Sequence, residues 1–197
     1  SLVGSEMCIR DSLRIKTLTE TLGPMGEFGR SIMTRQPEPM QRGKIYEYSH
    51  EKADLVLAIC TDMARRVASD GEGATHLIEV EAYGLPTEHD ARLVAKSIAG
   101  SMLFKAAVFG RDANWGRIMA AAGYSGADVD PTRADCIIKS AAGEVQVMKD
   151  GFGADFSEEL AKKVLTEHDI TVIVRFYQGD GEAKAWGCDL TYDYVKI

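Results

Sequence analysis

A chain of 197 residues, 45% of them hydrophobic and 27% charged, has the composition of a folded globular domain and not of a disordered or collagenous one. Its 23 basic against 30 acidic side chains leave a net charge of −7. That balance disfavours a dedicated nucleic-acid binder, because displacing counterions from a phosphate backbone needs a concentrated positive field. No stretch approaches the roughly 18 consecutive apolar residues of a membrane helix, and no charged-then-apolar signal opens the chain. Cys8, Cys60, Cys136 and Cys188 are too dispersed for a Cys-x-x-Cys redox or zinc motif. The expectation is a cytoplasmic protein with reduced thiols, no metal, no cofactor, and no nucleic-acid or membrane partner.

The opening residues, 1–12, show neither helical nor strand periodicity and resemble a translated sequencing adapter fused to a gene fragment, so they are excluded from the fold reading. Residues 13–49 are left unassigned. Gly23-Pro24, Gly26, Gly29, Pro37 and Pro39 interrupt each periodic run, as in a loop region or a frame-shifted read.

Residues 50–197 read as folded chain. Between Glu51 and Ala68, the residues Leu55, Val56, Ala58, Ile59, Met63, Ala64 and Val67 recur at helical spacing, predicting an amphipathic helix whose stripe covers a core. His76 to Gly84 alternates, with Leu77, Glu79, Glu81 and Tyr83 on one face and Ile78, Val80 and Ala82 on the other, predicting a strand. Thr87 then stands as N-cap of a helix reaching Ser101, with Glu88 and Asp90 in its first turn and an inward stripe of Ala91, Val94, Ala95 and Ile98.

Asn114 to Ala122 predicts a short helix. Cys136–Lys139 and Glu144–Met148, joined by Ser140-Ala141-Ala142-Gly143, predict a hairpin. Ser157 caps a helix that turns Leu160 and Val164 inward. Ile170–Tyr177 is a β-branched run, and across the Gly179-Asp180-Gly181 turn, Ala183 to Tyr194 is expected to return as its long antiparallel partner. The fold class is α/β in the broad, mixed α+β sense: layered mixed sheets with helices, linked by hairpins and not by strict parallel crossovers.

Two segments are dense enough in polar groups to carry chemistry. Asp70-Gly71-Glu72-Gly73-Ala74-Thr75 lies between a helix end and a strand start, where two glycines permit a tight bend that projects Glu72. An acid presented in this way can pair with a substrate ammonium, or it can be the solvated residue of a helix-terminating turn. The segment ends in no Gly-Lys-Ser/Thr, so it is not a phosphate loop. Phe109-Gly110-Arg111-Asp112-Ala113-Asn114-Trp115-Gly116-Arg117 leads into a helix that Asp112 can cap, while Asn114 and Arg117 can bind a carboxylate or backbone. A self-satisfied turn explains it equally well. Upstream, Lys105 in the apolar segment Met102–Phe109 either snorkels to solvent or is buried against a partner. His50, His76, His89 and His168 read as surface residues, Cys188 as a core residue of the terminal strand, and no Ser-His-Asp or Cys-His constellation assembles.

Taken together and in order, Asp70-Gly71-Glu72-Gly73-Ala74-Thr75, Lys105 with Phe109 to Arg117, and Cys188-Asp189-Leu190-Thr191-Tyr192-Asp193-Tyr194-Val195-Lys196-Ile197 resemble the C-terminal part of the β chain of the bifunctional glutamate N-acetyltransferase (ornithine acetyltransferase) family of arginine biosynthesis. The resemblance implies an N-terminal-threonine acetyltransferase type of fold, present here only in part. It implies a precursor that cleaves itself before a threonine, giving α and β chains that assemble as an α2β2 heterotetramer. The new terminal threonine takes an acetyl group from N2-acetylornithine and passes it to glutamate by covalent ping-pong catalysis, with acetyl-CoA as a second donor in bifunctional members. The family glutamate that contacts substrate falls on Glu72.

The departures from the family pattern carry expectations of their own. No counterpart of the nucleophilic threonine motif, nor of the family's Asp-Gly-Asp-Thr segment, stands in residues 13–50, and the tail with its substrate-contacting Asn and Thr would follow Ile197. Lys105-Ala106 stands where Lys-Thr is usual, and Phe104 where a smaller aliphatic is usual. The catalytic nucleophile is therefore expected outside this chain, which alone is expected to be inactive. Two other classes fit the residues: a non-catalytic scaffold or binding subunit of the same fold, and a related self-processing amidohydrolase or aminopeptidase.

Overall fold

The computed structural model describes the backbone of residues 42–196 and the side chains of residues 54–196. The expectations for residues 1–12 and for 13–41 lie outside the described residues, as does that for the side chain of His50. The chain divides into two compact units after Val67.

The first unit contains most of a helix, α1 (Arg42–Ser69). It begins earlier than the periodicity from Glu51 indicates. Gly43 and the β-branched and aromatic residues Ile45, Tyr46 and Tyr48 are weak helix formers, so this stretch carries little helical signal. The expected burial of the α1 stripe is not found, since Leu55, Val56, Ile59, Met63 and Val67 are all exposed.

The second unit holds β1 (Leu77–Leu85), α2 (Glu88–Gly100), α3 (Met102–Phe109), α4 (Trp115–Gly123), β2 (Ala134–Ser140), β3 (Gly143–Lys149), β4 (Phe152–Gly153), α5 (Glu158–Val164), β5 (Asp169–Phe176), β6 (Gly181–Cys188) and α6 (Tyr192–Lys196). Among the described residues all six strands join one mixed sheet, in the order β4-β3-β2-β5-β1-β6, in keeping with the mixed α/β class. Ile78, Val80 and Ala82 of β1 face the core with no exposure, joined by Val172 and Val174 of β5 and Ile138 of β2. The strict alternation in β1 places them on one face, against the α2 stripe of Ala91, Val94, Ala95 and Ile98, also fully buried. Thr87 caps α2 as the sequence indicates, its hydroxyl accepting from Asp90 N at 3.1 Å. Ser157 caps α5 in the same way at 3.2 Å, but Ala161 and Val164 are the residues it buries, while Leu160 stays at the rim.

The β2–β3 hairpin turns through Ala141-Ala142, with Ser140 opposite Gly143. A register shift next to Cys136 leaves an extra residue on β3, which is why Val147 and Met148 are both buried although adjacent in sequence.

The largest departure from expectation concerns the C-terminal strands. β5 and β6 are not paired with each other. β5 runs parallel to β1, β6 runs antiparallel to β1, and β1 lies between them. The sheet therefore contains one parallel pair, made through a crossover, beside its antiparallel ones. The connection from β5 to β6 passes over the end of β1, where Gln178 N and Gly179 N donate to Gly84 O at 2.8 and 3.0 Å. Such close passage needs missing side chains: a Cβ on Gly179 would stand 2.6 Å from Leu85 O, and one on Gly181 would stand 2.3 Å from Thr87 O. The Gly179-Asp180-Gly181 turn signal is thus a crossing signal. β6 also ends at Cys188, and residues 192–196 are helical, where a continuous strand to Tyr194 was expected.

On the other sheet face Lys184 of β6 bridges Glu79, at 3.1 Å, and Glu81. Trp186 Nε1 donates to Glu79 Oε2 at 2.9 Å, and Tyr83 Oη donates to Glu81 Oε2 at 3.0 Å. Hydrogen bonds from Lys184 to the two carboxylates outweigh its partial desolvation and raise its pKa to about 12. Among the described residues no helix is long and apolar enough to cross a membrane.

Candidate functional site

The segment after α1 reaches β1 through Asp70 to His76. Ala74 N donates to Gly71 O at 2.9 Å, closing a turn in which Gly73 has φ 68. A left-handed φ is where glycine has no Cβ penalty, which explains the second glycine of the segment. Gly71 is required by space: a Cβ there would stand 2.7 Å from Cys188 Sγ. Glu72 sits at the bend and is exposed, and no hydrogen bond or ion pair engages its carboxylate among the described residues.

The residues beside Glu72 are, by contrast, held firmly. Asp189, which follows β6, is buried and accepts four hydrogen bonds. Thr75 N and His76 N donate to Oδ1 at 2.8 and 3.0 Å, and the Thr75 hydroxyl and His76 Nδ1 reach Oδ2 at 2.6 and 2.8 Å. An ionised carboxylate only accepts, so His76 carries its proton on Nδ1 in this pair. Burial pushes the Asp189 pKa up, but the hydrogen bonds from the His76 and Thr75 side chains and then from both backbone amides outweigh it, and the carboxyl is held below its usual range. Thr191 adds a third tie, its hydroxyl donating to Gly73 O at 2.8 Å.

His76 is therefore a buried residue, 5% exposed, and not the surface histidine its position suggested. The alternation places it at the head of the predicted strand, but β1 begins one residue later, and Asp189, supplied from the far end of the chain, makes a dry site for it. His89 and His168 are exposed as expected. Asp189 and Thr191 were not singled out by residue chemistry. The signal available was an acid and a hydroxyl placed directly after a strand, which gives no partner without the fold.

The Phe109–Arg117 segment pairs part of its polar groups locally. Asn114, not Asp112, caps α4, accepting from Arg117 N at 3.0 Å, while Asp112 accepts from Asn114 Nδ2 at 2.9 Å. Arg117 Nη1 donates to Leu103 O at 2.8 Å. Lys105 is 3% exposed, so the buried alternative holds over snorkelling, and its carbonyl accepts from Leu190 N at 3.3 Å. Cys188 is half-buried against Gly71. Cys136 lies in the core, where desolvation, followed by the nearby Asp135 charge, raises its thiol pKa to about 12, so it is an inert packing residue. Among the described residues no group of His, Cys, Asp and Glu is arranged to hold a metal ion.

Comparison with known proteins places this arrangement. The solved structure of an arginine biosynthesis bifunctional protein from Bacillus halodurans is similar at a TM-score of 0.70 and 46% identity, over 77% of this chain and 69% of that one. The arginine biosynthesis bifunctional proteins of Caldanaerobacter subterraneus and Thermotoga neapolitana are 57% identical over 135 residues and 48% identical over 154 residues. The matches cover 68% and 78% of this chain but 34% and 37% of those proteins, so the chain spans about a third of the length of the curated relatives it matches. The mixed sheet and helices described above are similar to the matching part of that solved structure. Residues 40–197 match the model of the ArgJ family, and the chain belongs to that family.

Proposed function

We propose that this chain is a portion of an acetyltransferase of arginine biosynthesis, one that moves an acetyl group from N2-acetylornithine to glutamate through an acetyl-threonine intermediate, and that it contributes the substrate-binding carboxylate Glu72. The observation that supports this most directly is the contrast at the turn. Glu72 is exposed and unengaged, while Thr75, His76 and Gly73 beside it are tied down by Asp189 and Thr191. A carboxylate on a rigid turn loses little entropy on meeting a cation and is placed to receive the free ammonium of the ornithine side chain.

In this reading the nucleophilic threonine lies outside this chain, the α chain of the same precursor completes an α2β2 assembly in the cytoplasm, and acetyl-CoA is a second acetyl donor. The protein chemistry needs no resident cofactor, because the threonine hydroxyl carries the acetyl group.

The test uses a full-length enzyme in which residues 68–197 replace the matching segment of the Caldanaerobacter subterraneus protein. Glu72→Gln keeps the size and removes the charge, and loss of a charge-assisted bond of about 1.5–3 kcal/mol lowers kcat/KM for N2-acetylornithine by about 10- to 100-fold. A Glu72→Gln chimera that turns over N2-acetylornithine as well as the unaltered chimera removes the assignment of Glu72. An unaltered chimera that binds its substrates and transfers no acetyl group favours a non-catalytic role for the segment.

A further inference from the structure

We infer that Asp189 and Thr191 are positioning residues for the Glu72 turn, setting the affinity for the amino-acid substrate without touching it; the inference rests on the substrate-binding reading of Glu72. The turn from Gly71 to Ala74 has no sheet partner of its own and is held at two points. Thr191 takes the carbonyl of Gly73, immediately after Glu72, at 2.8 Å, and Asp189 takes both the backbone and the hydroxyl of Thr75, just past the turn, at 2.8 and 2.6 Å. The residues doing the holding are themselves fixed. Asp189 N donates to His76 O and Leu190 N to Lys105 O, each at 3.3 Å, so residues 189–190 are clamped between the start of β1 and α3.

A carboxylate is an expensive side chain to bury, and an apolar residue of similar volume would serve packing alone. Asp189 is retained with every lone pair occupied, four donors for four acceptor sites, and those donors come entirely from Thr75 and His76. Such a saturated buried group specifies one geometry for the chain it grips. The geometry specified is that of the turn presenting Glu72, and a substrate-binding group is effective only when its support holds it to within a fraction of an ångström.

The experiment is a double-mutant cycle in the same full-length chimera, read as KM and kcat for N2-acetylornithine. Asp189→Asn, which keeps the shape and loses two acceptor sites on one atom, raises KM about fivefold with kcat within about twofold, and in the Glu72→Gln background it raises KM no further. Thr191→Val raises KM in the same direction, and Thr191→Ser, which restores the hydroxyl, returns it to the reference value. The Thr191 pair decides the matter should Asp189→Asn fail to fold. An unchanged KM in Asp189→Asn or Thr191→Val, a loss confined to kcat, or a full additional effect on top of Glu72→Gln overturns the inference. Glu72→Gln raising KM while the Asp189 and Thr191 variants leave it unchanged overturns the positioning role and keeps the reading of Glu72. An inert Glu72→Gln removes that reading and the inference with it.

Discussion

Gly71 lies against Cys188 so closely that a Cβ at position 71 would stand 2.7 Å from the sulfur, and this contact joins the start of the Glu72 turn to the end of β6. It sets a limit on what the first glycine of the Asp-Gly-Glu-Gly segment can become. Gly71→Ala overpacks the site and destabilises the protein by about 1–3 kcal/mol in urea unfolding. Cys188→Ala removes the obstructing atom, and the double variant recovers at least half of the loss. Equal stability of Gly71→Ala and the parent shows that the turn moves aside freely.

The crossing of the β5–β6 connection over β1 depends on Gly84, whose φ is 73 and whose Cβ would stand 2.1 Å from Phe176 O. Both partners are backbone, so neither gives way cheaply. Gly84→Ala therefore costs about 2–5 kcal/mol by thermal or urea unfolding, combining left-handed strain with a steric clash. Gly126 has a similar φ of 83 with open space around it, and Gly126→Ala costs only the strain, about 1 kcal/mol. Similar losses at the two sites contradict the role of the crossing.

Capping of α4 by Asn114 is testable by the same measurement. Asn114→Ala costs about 1 kcal/mol because Arg117 N loses its acceptor, and Asn114→Ser, which keeps a capping oxygen without setting a second charge against Asp112, recovers most of it. Asp112→Ala, which removes only an acceptor for the Asn114 amide, costs less than Asn114→Ala. The reverse order would return the cap to Asp112.

Asp189 gives the protein an acid-sensitive element. Its folded-state pKa is depressed, so its stabilisation is present above the unfolded value of about 3.9 and is lost as pH falls through the lower folded value. Stability measured from pH 6 downwards declines through this window. Asp189→Asn is less stable at neutral pH and declines less steeply in acid, because the unfolded chain then takes up one proton fewer relative to the native state. An unaltered acid slope in Asp189→Asn excludes it as the sensitive group.

Local pattern by itself determined several elements of the second unit, although not the helical end at residues 192–196. The alternation of β1, the capped and striped α2 and the Ala141-Ala142 hairpin are each specified by neighbours within one or two turns of chain, and the structure keeps them. The Asp-Gly-Glu-Gly bend was legible for the same reason, since glycine spacing alone marks a tight turn that projects its acid. Pairing order, burial and partnership were decided only in three dimensions. β5 and β6 look like a hairpin because their separating turn is short, yet β1 lies between them, its Ile78, Val80 and Ala82 buried beside Val172 and Val174 of β5, and glycines let the connection cross. His76 is an unremarkable residue before a strand until Asp189 arrives from 113 positions away to make its burial favourable. The sequence names a carboxylate that can meet a cation; the long-range contacts that hold its turn arise only when the two ends of the unit meet.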